Sequence, residues 1–525
     1  MLHMIRGRFS SPSSCITETR SDQRRVRSCA LLLVALSSLK RCYHTNAVVF
    51  RHRFMCTVTA ALLTCSPVHA ALSGLQNNPP PTHPQLERKF QTASEDYESG
   101  HYAAAAAKLE ELLPELPQSF EVQELLALTY SAESQDRKAT EHFEKAVHLR
   151  PGSAAARTNL AANLVRIGQS ARAEEEFKQA LKIDPGDFQA SHNLGEFYVQ
   201  AGRISDAAPY LERAQKIDPA SYENGYDLSL AYIEIGKFSE ARQLVQGLLK
   251  RKDTAELHNL LAQVEEKNEN FVVAANEFAT AAHMDPSESN LFDWGSELLV
   301  HRTLDLAIDV FRRATDLYPR SSRLAIGFGI ALYSRGNYDD AVKSLLRATD
   351  LDPSDPRCYQ FLSKAYDSSP SQAEEVIERF RRFSELQPQN AHALYYYAIT
   401  MWKGKRTQDA SFDFAPIESL LKKAVALDPA LAEAHFQLGN LYSDQSKYSE
   451  AVPLYVQALE RSPNLADAHY RLAQAYVHTG EKARAQEQFQ VYQQLRSQQM
   501  AELDRQRAEI RQFVYSERDA GPAKP

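Results

Sequence analysis

Cysteine is almost confined to the start of this 525-residue chain: Cys15, Cys29, Cys42, Cys56 and Cys65 come early, and Cys358 stands alone in everything that follows. A lone thiol cannot close an internal disulfide, and with no Cys-His pairing around it Cys358 reads as a buried structural residue, not a nucleophile. No Gly-rich phosphate loop, Cys-x-x-Cys pair or His-Glu-x-x-His helix occurs, so the local signatures of nucleotide and metal chemistry are missing. Glycine is scarce, at 19 residues, and the plentiful alanine and leucine favour helix over sheet. These absences predict an all-α chain with no catalytic residues, no cofactor and no metal site.

Net positive charge is confined to the start of the chain. Residues 1–54 hold ten Lys or Arg against Glu18 and Asp22, a balance of +8 that leaves −15 on residues 55–525. An acidic body argues against nucleic acid as the partner. Within the basic segment, Arg51-His52-Arg53 precede a short apolar stretch and then Val68-His69-Ala70, the layout of a secretory signal peptide cleaved after Ala70. Residues 1–70 are therefore expected to be a targeting region, with an exported (periplasmic or secreted) product. An organelle presequence and a true start near Val48 or Val49 are the rival readings. The apolar stretch is too short to span a bilayer, so the mature chain is expected to have no transmembrane helix. Residues 71–85, with Pro79-Pro80-Pro81 and Pro84, read as a stiff linker.

Beyond the linker the chain has a beat. Prolines 117, 151, 185 and 219 stand 34 residues apart, and the series resumes at 286, 319, 353, 388, 429 and 463. That period fits one helix-turn-helix unit closed by proline. One unit reads Leu194-Gly195, Tyr198, Gly202, Ala207, Ala214 and Pro219, and another Leu438-Gly439, Tyr442, Tyr448, Ala451, Tyr455, Ala458 and Pro463. The apolar stripe, turn glycine and small packing alanine are those of two closely packed helices.

This recurring set resembles the tetratricopeptide repeat, a family of helical interaction scaffolds. About twelve units are expected over residues 86–497, stacked into a right-handed superhelical solenoid, with a weak first helix in the first unit and an exposed loop at 403–415. Residues 498–525 are read as a capping helix and tail. His258, His435 and His469 fall at the fourth position of a first helix, where packing outweighs metal ligation.

The resemblance implies that inward positions of each first helix line a concave groove for peptide segments of partner proteins. Carried onto this sequence, those positions include Asn159, Asn193, Tyr226, Phe292, Tyr395, Trp402, Phe436 and Tyr470 as partner-binding residues. For any one aromatic, packing between neighbouring units is the competing reading. The Lys-Asn pair that grips a terminal carboxylate in chaperone-binding members is absent, whereas Asn159 and Asn193 resemble two rungs of an amide ladder for a peptide backbone, with Asp227 in the next unit's place. The function expected is a protein-interaction scaffold, with a regulatory or assembly subunit docking through its outer face as the alternative.

Overall fold

The computed structural model describes residues 84–369, 372–405, 413–498 and 500–501. The targeting region, its cleavage site after Ala70 and nearly all of the expected linker lie outside them. The described residues contain helices and no strand, and the chain divides after Pro286 into two compact units.

The first unit holds six helical pairs: α1 (Pro84–Glu98) with α2 (Tyr102–Leu112), α3 (Phe120–Ala132) with α4 (Asp136–Leu149), α5 (Ala154–Arg166) with α6 (Ser170–Ile183), α7 (Phe188–Gln200) with α8 (Ile204–Ile217), α9 (Tyr222–Glu234) with α10 (Phe238–Leu249), and α11 (Ala255–Lys267) with α12 (Phe271–Met284). The second holds α13 (Glu288–Val300) with α14 (Leu304–Leu317), α15 (Ser322–Arg335) with α16 (Tyr338–Leu351), α17 (Pro356–Ser368) with α18 (Ala373–Leu386), α19 (Ala391–Lys405) with α20 (Ala415–Leu427), and α21 (Ala432–Asp444) with α22 (Tyr448–Arg461). It ends on α23 (Ala466–Thr479) and a final helix, α24 (482–498).

Several pairs start on a chemical signal that the proline spacing alone does not reveal, whereas those beginning at Ala432 and Ala466 have leucine there and no side-chain cap. Ser119, Ser153, Asp187 and Ser221 stand two residues after a repeat proline, and each side chain accepts the backbone N–H three residues ahead. Such a cap satisfies an otherwise orphaned donor and contributes about 1 kcal/mol. The turn inside each pair needs one left-handed residue. Gly202 supplies it at φ +72°, but Ser134, Glu269, Arg302 and Ser446 adopt the same region without glycine's freedom.

One small residue per pair lets the second helix approach the first. Ala105, Ala139, Ala173, Ala207, Ala241 and Ala274 are fully buried, and so are Ala307, Ala341 and Ala451 in the second unit. The ninth and tenth pairs place the larger Val376 and Ile417 there. Glycine on the first helix serves the same approach. A Cβ at Gly295 would lie 2.8 Å from Phe311 Cζ, and one at Gly327, on the next first helix, 2.5 Å from Phe311 Cε1.

Two boundaries differ from those expected. The first pair has a complete first helix, because Pro84 suits an opening turn and Ala93 and Ser94 are buried. Helix α19 continues to Lys405, past the expected loop start, carried by the buried Ile399 and Trp402; residues 406–412 lie outside the described set. Helix α24 is the second helix of a twelfth pair, with its Ala485 buried in the neighbouring core, and the expected cap and tail at 498–525 lie almost wholly outside the described residues. No described helix is long and apolar enough to cross a membrane.

Candidate functional site

Within each unit the first helices of neighbouring pairs touch one another, so their side chains form an inner row one helix apart. In the first unit this row is polar. Asn159, on α5, donates to Glu124 Oε1 on α3 at 3.4 Å. Glu124 is 8% exposed, and burial lifts its carboxyl to about 7 against the pull of Asn159. One pair along, Thr158 donates to the Ala154 carbonyl at 3.0 Å, while Asn193 on α7 is half-buried.

His192 can be assigned a tautomer. The Nδ2 of Asn224 donates to the Leu211 carbonyl at 3.0 Å and to Gln215 Oε1 at 2.8 Å, which leaves Asn224 Oδ1 as the atom facing His192 Nδ1 at 3.1 Å. An acceptor there requires the proton on Nδ1 and makes Nε2 a lone-pair acceptor. Burial holds the ring's pKa below its usual value, so the imidazole is neutral near pH 7. Beyond it, burial raises Glu196 to about 7, partly offset by a hydrogen bond to Gln200. Asp227 is lifted well above the carboxylate range, first by burial and then by Glu196 and Glu223. Tyr226 is half-buried and lies 6.3 Å from Tyr222 in a stack.

The second unit's inner row is aromatic. Phe292 meets Phe311 edge-on at 6.2 Å and carries the Arg323 guanidinium 4.4 Å above its ring. Phe436 is half-buried, 6.0 Å from Tyr455. Tyr395 and Trp402 are placed differently from the expectation. At 9% and 7% exposure they belong to the core shared with Ile417, Leu421 and Leu438, because Val376 and Ile417 at the close-approach position leave room that large rings fill. Tyr470, 38% exposed, leans on Tyr492 and Phe489 of α24 at 5.1 and 5.8 Å. Of the eight residues, Asn159, Asn193 and Tyr226 share the first unit's row and Phe292 and Phe436 line the second's, while Tyr395 and Trp402 are buried in packing and Tyr470 stays exposed against α24.

The histidines serve the fold. His435 Nε2 donates to the Pro429 carbonyl at 3.2 Å, and His258 lies between Asp253 and Glu277. No three His, Cys, Asp or Glu among the described residues group as a metal site. Cys358 is fully buried, and burial lifts its thiol to about 12, which suppresses the nucleophilic thiolate.

The carboxylates of the first row were the residues sequence reasoning passed over. A signal was available: α3, α7 and α9 contain no Lys or Arg.

Family models for the tetratricopeptide repeat match residues 198–264 and residues 158–222, 292–356 and 436–499. The TPR repeat-containing protein YpiA of Bacillus subtilis is 24% identical over 184 residues, spanning 35% of this chain and 41% of that relative. Among solved structures, Naa15/Naa10 bound to HypK-THB is similar at 17% identity and a TM-score of 0.34, covering 78% of this chain and 68% of that one. YrrB, described as a TPR protein with an unusual peptide-binding site, is similar at 19% identity and a TM-score of 0.30, covering 36% and 97%.

Proposed function

The chain is a tetratricopeptide repeat protein, and on that premise we propose that it is a non-catalytic scaffold whose inner rows hold an extended or helical segment of a partner protein. The observation that carries this reading is the set of partly open recognition groups on first helices: Asn159, Asn193 and Tyr226 on three consecutive ones in the first unit, and Phe292 and Phe436 on the first and fifth in the second. An amide can bond both a backbone N–H and a C=O, and half-exposed rings offer rigid apolar surface. Replacing Tyr226, Phe292 and Phe436 by alanine in the full chain should abolish capture of the partner recovered from the native host, with the helical circular dichroism signal retained. Undiminished capture would remove the inner rows from consideration.

A second reading rests on its own observation. Ile183, Ile217 and Met284 are exposed at the last turn of second helices in the first unit, as are Leu317, Leu386 and Leu427 in the second. Such recurrent exposed aliphatics fit docking onto a larger assembly. Serine at Ile183 and Ile217 should then abolish capture where the inner-row changes do not. We further propose that the working protein begins at Ala71 in an exported compartment. Sequencing the N-terminus of protein purified from its host checks this, and a product retaining Arg20 to Arg27 would refute it.

A further inference from the structure

We propose that the inner row of residues 120–234 seats an extended partner segment bearing lysine or arginine side chains. This rests on the inner-row reading above and adds the chemistry of the occupant.

The argument begins with segregation of charge. Helices α3, α7 and α9 carry Glu121, Glu124, Glu196, Glu223, Asp227 and Glu234 without a single Lys or Arg. Helix α5 brings Arg157 and Arg166, but both turn to second helices: Arg157 pairs with Glu176 at 2.6 Å and Arg166 with Asp136. Arg150 reaches the row from outside and is taken by Glu121 at 2.6 Å. Glu124, Glu196 and Asp227 are left without an ion-pair partner among the described residues.

Their surroundings make this costly. Glu124 is buried, and the partly buried Asp227 stands beside two further carboxylates with no hydrogen bond among the described residues. A buried, unpaired carboxylate among like charges destabilises a fold, and an apolar or amide side chain would serve packing better. Asn159 and Asn193 show that amides fit the equivalent position in the two preceding pairs. An acid kept where an amide fits points to a cation supplied from outside.

The remaining groups agree. His192 offers a lone pair at Nε2, and Glu124, Glu196 and Asp227 become acceptors once a bound cation draws off their protons, which complements an ammonium with three N–H donors or a guanidinium with five. The amides of Asn159 and Asn193 match a peptide backbone running between such side chains. A bare metal ion does not fit, since no three ligand-type side chains converge.

The test is fluorescence anisotropy of the full chain with short labelled peptides alternating alanine with lysine, glutamate or glutamine. The lysine peptide should bind at least about tenfold tighter than the glutamate peptide. The preference should vanish in the Glu196→Gln, Asp227→Asn double variant, whose melting temperature should be unchanged or higher, because relieved repulsion stabilises. Loss of melting temperature in the variant would mark the carboxylates as structural and overturn the proposal, as would a lysine preference that survives. If the glutamine peptide binds as tightly as the lysine peptide and Tyr226→Ala abolishes both, the inner-row reading stands and the charge inference falls. Carbodiimide coupling of carboxylates to amines, mapped by mass spectrometry, identifies the occupant. Glu124, Glu196 or Asp227 joined to the added peptide is expected; joined to a lysine of the same chain or of a second copy, it would overturn a partner in trans.

Discussion

The Nε2–H of His469 donates to the carbonyl of Pro463 at 2.9 Å. The same six-residue reach joins Gln123 to Pro117, Arg157 to Pro151, Tyr359 to Pro353 and His435 to Pro429. Side chains of four chemical kinds therefore do one job at the fourth position of a first helix: they tie down the carbonyl of the proline before it. What they share is an N–H or O–H donor at the right reach.

It follows that His469→Gln should retain stability if the amide reaches the Pro463 carbonyl, and His469→Ala should lose about 1 kcal/mol. Urea denaturation of the two variants against wild type measures this. Equal loss in both would show that ring packing, not the donor, sets the role.

Non-glycine residues in the left-handed turns offer gains. Ser134, Glu269 and Arg302 sit at φ +59°, +62° and +60°, where a Cβ costs about 1 kcal/mol. Each single change to glycine should raise the urea midpoint by the equivalent of about 0.5 kcal/mol once glycine's greater unfolded-state entropy is subtracted. Gly202→Ala, made at φ +72°, should shift it the opposite way.

The Phe311 ring is gripped by glycines from two successive first helices. Gly327→Ala should destabilise by about 1–3 kcal/mol, the range for overpacking a filled core. Adding Phe311→Leu should recover part of the loss. A double-mutant cycle with no coupling would mean that the backbone gives way instead.

Stability should depend on pH in an unusual direction. Glu124 and Glu196 keep their protons to about pH 7 in the fold, against 4.5 ordinarily. The folded chain thus binds more protons than the unfolded one across that window, so this contribution is full below pH 4.5 and is lost as pH rises through 7. The buried Glu124 accounts for on the order of 3 kcal/mol, and the partly exposed Glu196 for less. His192 opposes it: burial lowers its pKa, so its contribution is present above the ordinary histidine range and lost as pH falls. Urea midpoints at acid and mildly alkaline pH should fall more steeply with rising pH for wild type than for a Glu124→Gln, Glu196→Gln variant. Parallel slopes would contradict the assignment.

The fold was readable because its signals repeat. Pro117, Pro151, Pro185 and Pro219 set the period, and Ala139, Ala173 and Ala207 mark the close approach at the same interval. Where a local signal broke, the reading slipped: Lys403 and Gly404 look like loop, yet Trp402 anchors them to the core and Gly404 lies so near Ile377 that a Cβ would come within 2.7 Å of its Cδ1. The site was harder. Position alone cannot separate Phe436, which keeps an open face, from Tyr395, which does not, because the difference is made by what the neighbouring pair places opposite. The carboxylates at Glu196 and Asp227 were visible as letters, but their isolation from every cation depends on where Arg150, Arg157 and Arg166 turn.

The bonds that join one pair to the next reach only a short way along the chain. Asn159 to Glu124 and Arg166 to Ser131 each cross 35 residues. A pair leaving the ribosome therefore meets its stabilising neighbour almost as soon as that neighbour is made. The early pairs can complete their structure during synthesis, while the later ones are still untranslated, and loop-closure entropy stays small at every step. Where described helices pack on their near neighbours in sequence, assembly is a matter of order of arrival.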